Sequence, residues 1–193
     1  MNLVFATNNR HKLEEIQLAL GASFHLQTLS DIGCTEELPE TGRTLEANSL
    51  EKTKFLADYY HVDCFGDDTG LEIHALGGEP GVDTAYYSGS RDADANNRKV
   101  IEVMKGVEDR SARFRTVITL ILKGEIYQFE GICDGYILEA PVGTQGFGYN
   151  PVFRPEGYDR SMAEMTMEEK NGISHRTRAF GKMVAFLEER RGV

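Results

Sequence analysis

Two adjacent carboxylates, Asp67 and Asp68, lie between glycines in the run Cys64-Phe65-Gly66-Asp67-Asp68-Thr69-Gly70-Leu71-Glu72-Ile73. Neighbouring carboxylates repel, so the pair is costly unless a cation or a proton intervenes. Oxygen ligands of this kind suit a hard cation such as Mg²⁺, whose remaining positions go to water and substrate phosphates. A solvated Asp-Asp turn uses the same residue types, because Asp and Gly are ordinary turn formers. On the flanks, Val62, Cys64 and Phe65 read as a short buried strand, and Leu71, Ile73 and Ala75 alternate with polar residues as a half-buried strand does. The pattern predicts two short strands joined by a tight turn that holds the carboxylates.

A second chemical stretch opens the chain. Asn2 to Ala6 reads as an apolar strand that stops at Thr7-Asn8-Asn9-Arg10-His11-Lys12, after which Leu13, Ile16 and Leu20 recur at helical spacing up to Gly21. The first N–H groups of a helix lack intrahelical partners, so a strand, a polar turn and a helix opening can receive an anion. Thr7, Asn9 and Lys12 add a hydroxyl, an amide and a point charge there; a capped helix with a solvated lysine is the competing reading. No Walker loop occurs anywhere in the chain. Asn48 and Lys52, four residues apart on a predicted helix from Thr44 to Tyr60, share a face and could meet a ligand together. Glu40, in the acidic loop before that helix, could join Asp68 on a metal. The glycines around Phe147 and Tyr149 suggest a backbone closely approached by something flat, or a loop pinned by buried aromatics. Thr166 and Glu169 form a capping box ahead of Lys170. His175 and Arg176 fall in the first turn of the last predicted helix, where cations oppose the helix dipole and ask for a compensating group.

The elements that position these groups alternate. Phe24 to Leu29 reads as a strand, Asp92 to Lys105 as a helix closed by Gly106, and Ala112 to Leu122 as a long strand turning at Lys123-Gly124-Glu125 into Ile126 to Ile132. That hairpin means the sheet cannot be purely parallel. The helix from Thr44 should bury Leu45, Leu56 and Tyr59, and the last helix Ala179, Phe180, Met183 and Leu187.

The 193 residues fit one domain, 1–193, with a substantial core. A net charge of −10 repels nucleic acid and anionic membrane, so neither is an expected partner. Three cysteines without a CxxC spacing fit reduced thiols, and the apolar stretches are too short for a signal peptide or a membrane span. The expectation is a soluble cytoplasmic protein.

Taken in order, the blocks Phe5-Ala6-Thr7-Asn8-Asn9-Arg10-His11-Lys12, Gly66-Asp67-Asp68-Thr69-Gly70-Leu71, Gly77-Gly78-Glu79-Pro80-Gly81, Gly146-Phe147-Gly148-Tyr149-Asn150-Pro151 and Glu169-Lys170-Asn171-Gly172-Ile173-Ser174-His175-Arg176 resemble the inosine triphosphate pyrophosphatase family. The resemblance implies an α/β, ITPase-like fold: a long central mixed β-sheet with flanking helices, and two lobes around a substrate cleft. It implies hydrolysis of the non-standard purine triphosphates ITP, dITP and XTP, with Mg²⁺ as cofactor and a homodimer as the assembly. By position, Glu40 and Asp68 would bind the metal, and Asp68 would be the catalytic base with Asp67 in support. The substrate-binding set would be Thr7, Asn8, Asn9, Arg10, His11, Lys12, Lys52, Thr69, Phe147, Gly148, Tyr149, Asn150, Lys170, His175 and Arg176. Thr7, Asn9 and Lys12 would hold the triphosphate, and Phe147 would stack on the base.

Water attacking the α-phosphorus needs a positioned base and charge neutralisation, which these residue types can supply. A donor such as Arg176 would select a 6-oxo group and leave adenine unpaired. Three positions depart from the family pattern. Asn8 and Asn150 stand where Gly and Asp are usual, and Tyr86 stands where some members carry Arg. Asn150 keeps an acceptor but loses the charge. Another metal-dependent phosphohydrolase, or a nucleotide-binding module without catalysis, would use many of the same residues.

Overall fold

Alternating apolar residues at Leu3 and Phe5 against Val4 and Ala6 build the first strand, whose two faces enter two different core clusters. The computed structural model describes residues 2–9, 12, 16 and 24–191. The helix expected over residues 13–20 and its stop at Gly21 lie outside the described residues, as do Arg10 and His11. Among the described residues, six strands form one sheet in the order β2-β1-β3-β4-β5-β6. They are β1 (Asn2–Phe5), β2 (His25–Gln27), β3 (Cys64–Ile73), β4 (Ser111–Leu122), β5 (Glu125–Ile137) and β6 (Phe153–Pro155). β1 runs parallel to both β2 and β3, whereas β5 and β6 are antiparallel, so the sheet is mixed as expected. The helices are α1 (Leu45–Tyr60), α2 (Ala93–Val103), α3 (Met167–Ile173) and α4 (His175–Arg191). None of them is long and apolar enough to cross a membrane.

One expectation changes at the centre. Cys64 to Ile73 is one continuous strand and not two strands around an Asp-Asp turn. The turn signal failed because Gly66 serves packing. A Cβ there would lie 2.6 Å from Thr53 Oγ1 and 3.0 Å from Lys52 Cγ, so only glycine lets α1 come this close to β3. The β4–β5 hairpin turns where expected, at Lys123 and Gly124, both with positive φ (51° and 82°), as a two-residue turn between twisted strands requires.

The described chain condenses into two interleaved units. The first holds the described residues up to Asp68, Thr116–Gly131 and the residues from Arg176 onward; the second holds Thr69–Arg115 and Ile132–His175. In the first unit, the predicted stripe Ala179, Phe180, Met183 and Leu187 of α4 buries against Leu3, Phe5, Phe65, Ile118 and Leu120. Phe5 stacks on Phe65 at 4.6 Å between ring centroids, and Phe180 leans on Phe65 at 5.8 Å. The opposite sheet face carries Val4, Ala6, Cys64 and Ile121 against Leu56 of α1. With both faces covered, β4 loses its polar alternation beyond Arg115.

α1 is capped by Thr44, whose side chain accepts from the Ala47 N–H, and ends at His61 in a left-handed conformation. Its buried residues are Leu45, Asn48, Ser49, Lys52, Thr53 and Leu56, while Tyr59, expected to face the core, is exposed. The inner face is polar because it meets the site. The second unit packs Leu71, Ile73, Phe114, Ile137 and Phe153 around Val100 of α2 and Met104, the residue that caps its end.

Candidate active site

Successive residues of a strand point to opposite faces, so β3 separates its two carboxylates. Asp67 lies on the face of Phe65, toward α4. It is 1% exposed, and its Oδ2 sits 2.9 Å from Lys12 Nζ and 3.6 Å from Arg176 Nε. Burial alone would raise the Asp67 carboxyl, but Lys12, Arg176 and Lys52 together hold it well below the usual carboxylate range. Lys12 is pushed below the usual lysine value, first by burial and then by Lys52 and Arg176, against the pull of Asp67. One anion is shared among three cations. Arg176 thereby finds the negative group that its place at the start of α4 called for.

Asp68 faces α1. Its carboxyl is raised above the ordinary value, first by burial, with a further push from Glu40; Lys52, a hydrogen bond from Asn48 and Lys12 act in the other direction. Lys52 is 4% exposed, donates to the Asp67 carbonyl at 2.8 Å and pairs with Glu40. The register of α1 against the sheet is fixed by Ser49, whose hydroxyl donates to Gly66 O and accepts from Thr119 N, both at 2.8 Å. Glu51 steadies the loop bearing Glu40 by accepting from Thr41 N at 2.7 Å and from Thr41 Oγ1 at 2.8 Å.

At the start of the chain, Thr7 Oγ1 accepts from Asn9 N at 3.1 Å, and Asn9 Oδ1 accepts from Lys12 N at 3.4 Å. This stretch thus uses its Thr and Asn side chains to accept from nearby backbone N–H groups. Its lysine, however, is engaged with Asp67 and is not a solvated surface group. Asn8 and Asn9 are exposed and Thr7 is half-buried.

The second unit holds the remaining expected residues. Thr69 is half-buried on β3. In the glycine-rich loop, Phe147 is 37% exposed, while Tyr149 is buried in the core and donates its hydroxyl to Thr84 O at 2.7 Å. Tyr149 therefore anchors the loop. Gly148, at φ +62°, accepts at its carbonyl from Asn97 Nδ2 at 3.1 Å. Asn150 and Lys170 both border Gly146. His175 is buried and stacks on Phe114 at 4.8 Å between ring centroids.

A model of the Ham1 family matches residues 3–186. The chain belongs to the Ham1 family. It is 48% identical over 190 residues to the dITP/XTP pyrophosphatase of Christiangramia forsetii, covering 98% of this chain and all (100%) of that protein. It is 42% identical over 190 residues to the dITP/XTP pyrophosphatase of Bacillus subtilis, with 96% of each covered. Among solved structures, the Staphylococcus aureus Ham1 protein superposes with a TM-score of 0.92 at 33% identity, covering 98% of this chain and 100% of that one. The resemblance drawn from the motifs, and the ITPase-like α/β fold it implied, are thus borne out.

Within this Ham1-family site, a hard cation fits the donor set of the first unit. Glu40 and Asp68 are close enough for one to raise the other, and the buried Oδ1 of Asn48 has no hydrogen-bond partner among the described residues. No cluster of three or more His, Cys, Asp or Glu occurs among the described residues. Mg²⁺ does not need one, since it is typically held by one or two carboxylates with water and phosphates.

Asn48, read from the sequence as able to meet a ligand together with Lys52, hydrogen-bonds the Asp68 carboxyl. Asn97 was missed, although an asparagine three residues before Val100 on the apolar side of a helix is a signal in itself, because buried amides need partners.

Proposed function

We propose that this Ham1-family chain hydrolyses the non-standard purine nucleoside triphosphates ITP, dITP and XTP to the monophosphate and pyrophosphate, cleansing the nucleotide pool. One observation carries the reading: adjacent carboxylates in opposite electrostatic settings, one held ionised among Lys12, Arg176 and Lys52, the other raised by burial. Environments that push two carboxyls apart in proton affinity separate a structural anion from a proton acceptor.

Lys12 and Lys52, with Thr7 and Asn9, are assigned to the triphosphate, where positive charge stabilises the phosphate oxygens. Glu40 and Asp68 would hold Mg²⁺, which when bound supplies further charge neutralisation at the phosphates. Asp68 accepts a proton from water as the water oxygen bonds the α-phosphorus. The bond from that phosphorus to the bridging oxygen breaks, and pyrophosphate leaves with the electron pair. Asp67 orients Lys12 and Arg176. The base is assigned to the glycine-rich loop, with Phe147 stacking and Asn150, Lys170, His175 and Arg176 reading its edges. Tyr149 and Gly148 support that loop, and Thr69 is assigned to the substrate from β3.

Dependence on Mg²⁺, a homodimeric assembly and a cytoplasmic location belong to the same proposal. The three cysteines are all buried free thiols, which suits a reducing compartment. The −10 net charge favours a small substrate over nucleic acid or an anionic membrane.

The test is a product assay with ITP, dITP, XTP and dATP in the presence of Mg²⁺. Pyrophosphate and monophosphate should appear in equal amounts, and dATP should be a poor substrate. Release of orthophosphate, or equal turnover of dATP, would overturn the reading.

A further inference from the structure

Asn48 sits on α1 one turn before Lys52, on the buried face of the helix. It is 5% exposed, and its amide hydrogen-bonds the Asp68 carboxyl. An ionised carboxylate only accepts, so the NH₂ end of the amide is turned to Asp68 and Oδ1 is directed elsewhere. Among the described residues nothing donates to it: Oδ1 is buried without a hydrogen-bond partner. The loop that carries Glu40 leaves space at this atom. A Cβ at Gly42 would lie 2.8 Å from Asn48 Oδ1 and 2.6 Å from Ala47 Cβ, so any side chain there would crowd the orphaned oxygen. A buried amide oxygen without a donor is costly, and a group that arrives with the ligand removes that cost.

We propose that Asn48 is a positioning residue for the cation assigned to Glu40 and Asp68: its NH₂ orients the Asp68 carboxylate, and its Oδ1 accepts a hydrogen bond from a water that the cation carries. The inference rests on the metal dependence proposed above and adds a neutral residue to it. Mg²⁺ gives up its waters reluctantly and keeps several of them where one or two carboxylates bind it. Such a water needs an acceptor, and a buried amide oxygen already held from its other end is a fixed one. Asn48 therefore acts on the site twice, through a carboxylate ligand and through the water shell. Residues that support metal ligands in this way are worth about 10- to 100-fold in metal affinity.

The experiment measures Mn²⁺ affinity without nucleotide, from the electron paramagnetic resonance signal of free Mn²⁺, and Mg²⁺ affinity by competition. Wild type is compared with Asn48→Leu, which removes both polar ends at similar volume, and with Asn48→Asp, which keeps an accepting oxygen and loses the NH₂. Glu40→Gln removes an assigned ligand and marks the site. Asn48→Leu should bind Mn²⁺ at least about tenfold more weakly than wild type. Asn48→Asp, whose oxygen still accepts, should recover most of that affinity. Thermal melts in EDTA report the fold of each variant, and Asn48→Ala, which removes the same oxygen, replaces Asn48→Leu if the larger side chain does not fit. Unchanged affinity once that oxygen is gone would leave Asn48 a structural residue and overturn the proposal. An equal loss in Asn48→Leu and Asn48→Asp would also overturn it, because the NH₂ alone would then matter. If wild type binds no Mn²⁺, or Glu40→Gln binds it as wild type does, the metal assignment of the proposed function is overturned, and the role of Asn48 with it.

Discussion

Asp67 and Asp68 are consecutive on β3, yet their carboxylates meet opposite electrostatics. Asp67 is enclosed with Lys12 at 2.9 Å and Arg176 at 3.6 Å, and is held ionised. Asp68, on the α1 side, is raised by burial and by Glu40 despite Lys52 and Asn48. A turn would have left both in one environment. The strand gives each its own, and this separation allows one to serve as counter-ion while the other accepts a proton.

The two aspartates should therefore affect stability with opposite sign in metal-free protein at neutral pH. Asp67→Asn strands buried cations and should cost about 3–5 kcal/mol. Asp68→Asn removes a charge that burial disfavours and should raise Tm while abolishing turnover. For Asp67 the folded value is depressed, so its contribution is complete above the unfolded value near about 3.9 and is lost as pH falls below it. For Asp68 the folded value is raised, so its penalty is complete above that value and disappears as pH falls toward the unfolded one. Thermal melts in EDTA at neutral and acidic pH check both signs. A lower Tm for Asp68→Asn at neutral pH would show that its charge is favourable in the fold.

Lys12 pairs with Asp67 and is assigned to the triphosphate, so its loss should show in both kinetic constants. Lys12→Ala should lower kcat/KM for dITP by about 10- to 100-fold, through a higher KM and a lower kcat together. Kinetics matching wild type would confine Lys12 to its ion pair with Asp67.

Much of this was legible in residue types. The stripe Ala179, Phe180, Met183 and Leu187 is the buried face of α4, and the turn at Lys123-Gly124 is the β4–β5 hairpin. Local periodicity carries such information directly. The Asp-Asp strand was misread because glycine and aspartate signal a turn locally, whereas the decisive contact, α1 against Gly66, lies thirteen or more residues away along the chain. Tyr59 was misassigned for a related reason. The face of α1 turned inward is the polar one, selected by the carboxylates and not by an apolar stripe. β6, three residues long, carries too little pattern to announce itself.

The last prediction concerns Asn97, whose side chain is 4% exposed and donates to Gly148 O at 3.1 Å. Gly148 lies between the exposed Phe147 and the anchored Tyr149, so this bond sets the loop assigned to the base. The preceding residue does different work. Asn96 accepts from Ser88 N at 2.7 Å and donates to Ala85 O at 3.1 Å, holding a separate segment. Removing either amide leaves backbone groups without partners, at a cost of about 1–3 kcal/mol. The two variants should therefore lose similar stability and differ in kinetics. Asn97→Ala should raise KM for dITP about tenfold with little change in kcat, since the loop it holds is assigned to the base and not to the phosphate chemistry. Asn96→Ala should raise KM much less. Steady-state kinetics measured beside thermal melts distinguish the outcomes: equal KM values in two equally destabilised variants would reduce Asn97 to packing, and a fall confined to kcat would place it in the chemical step.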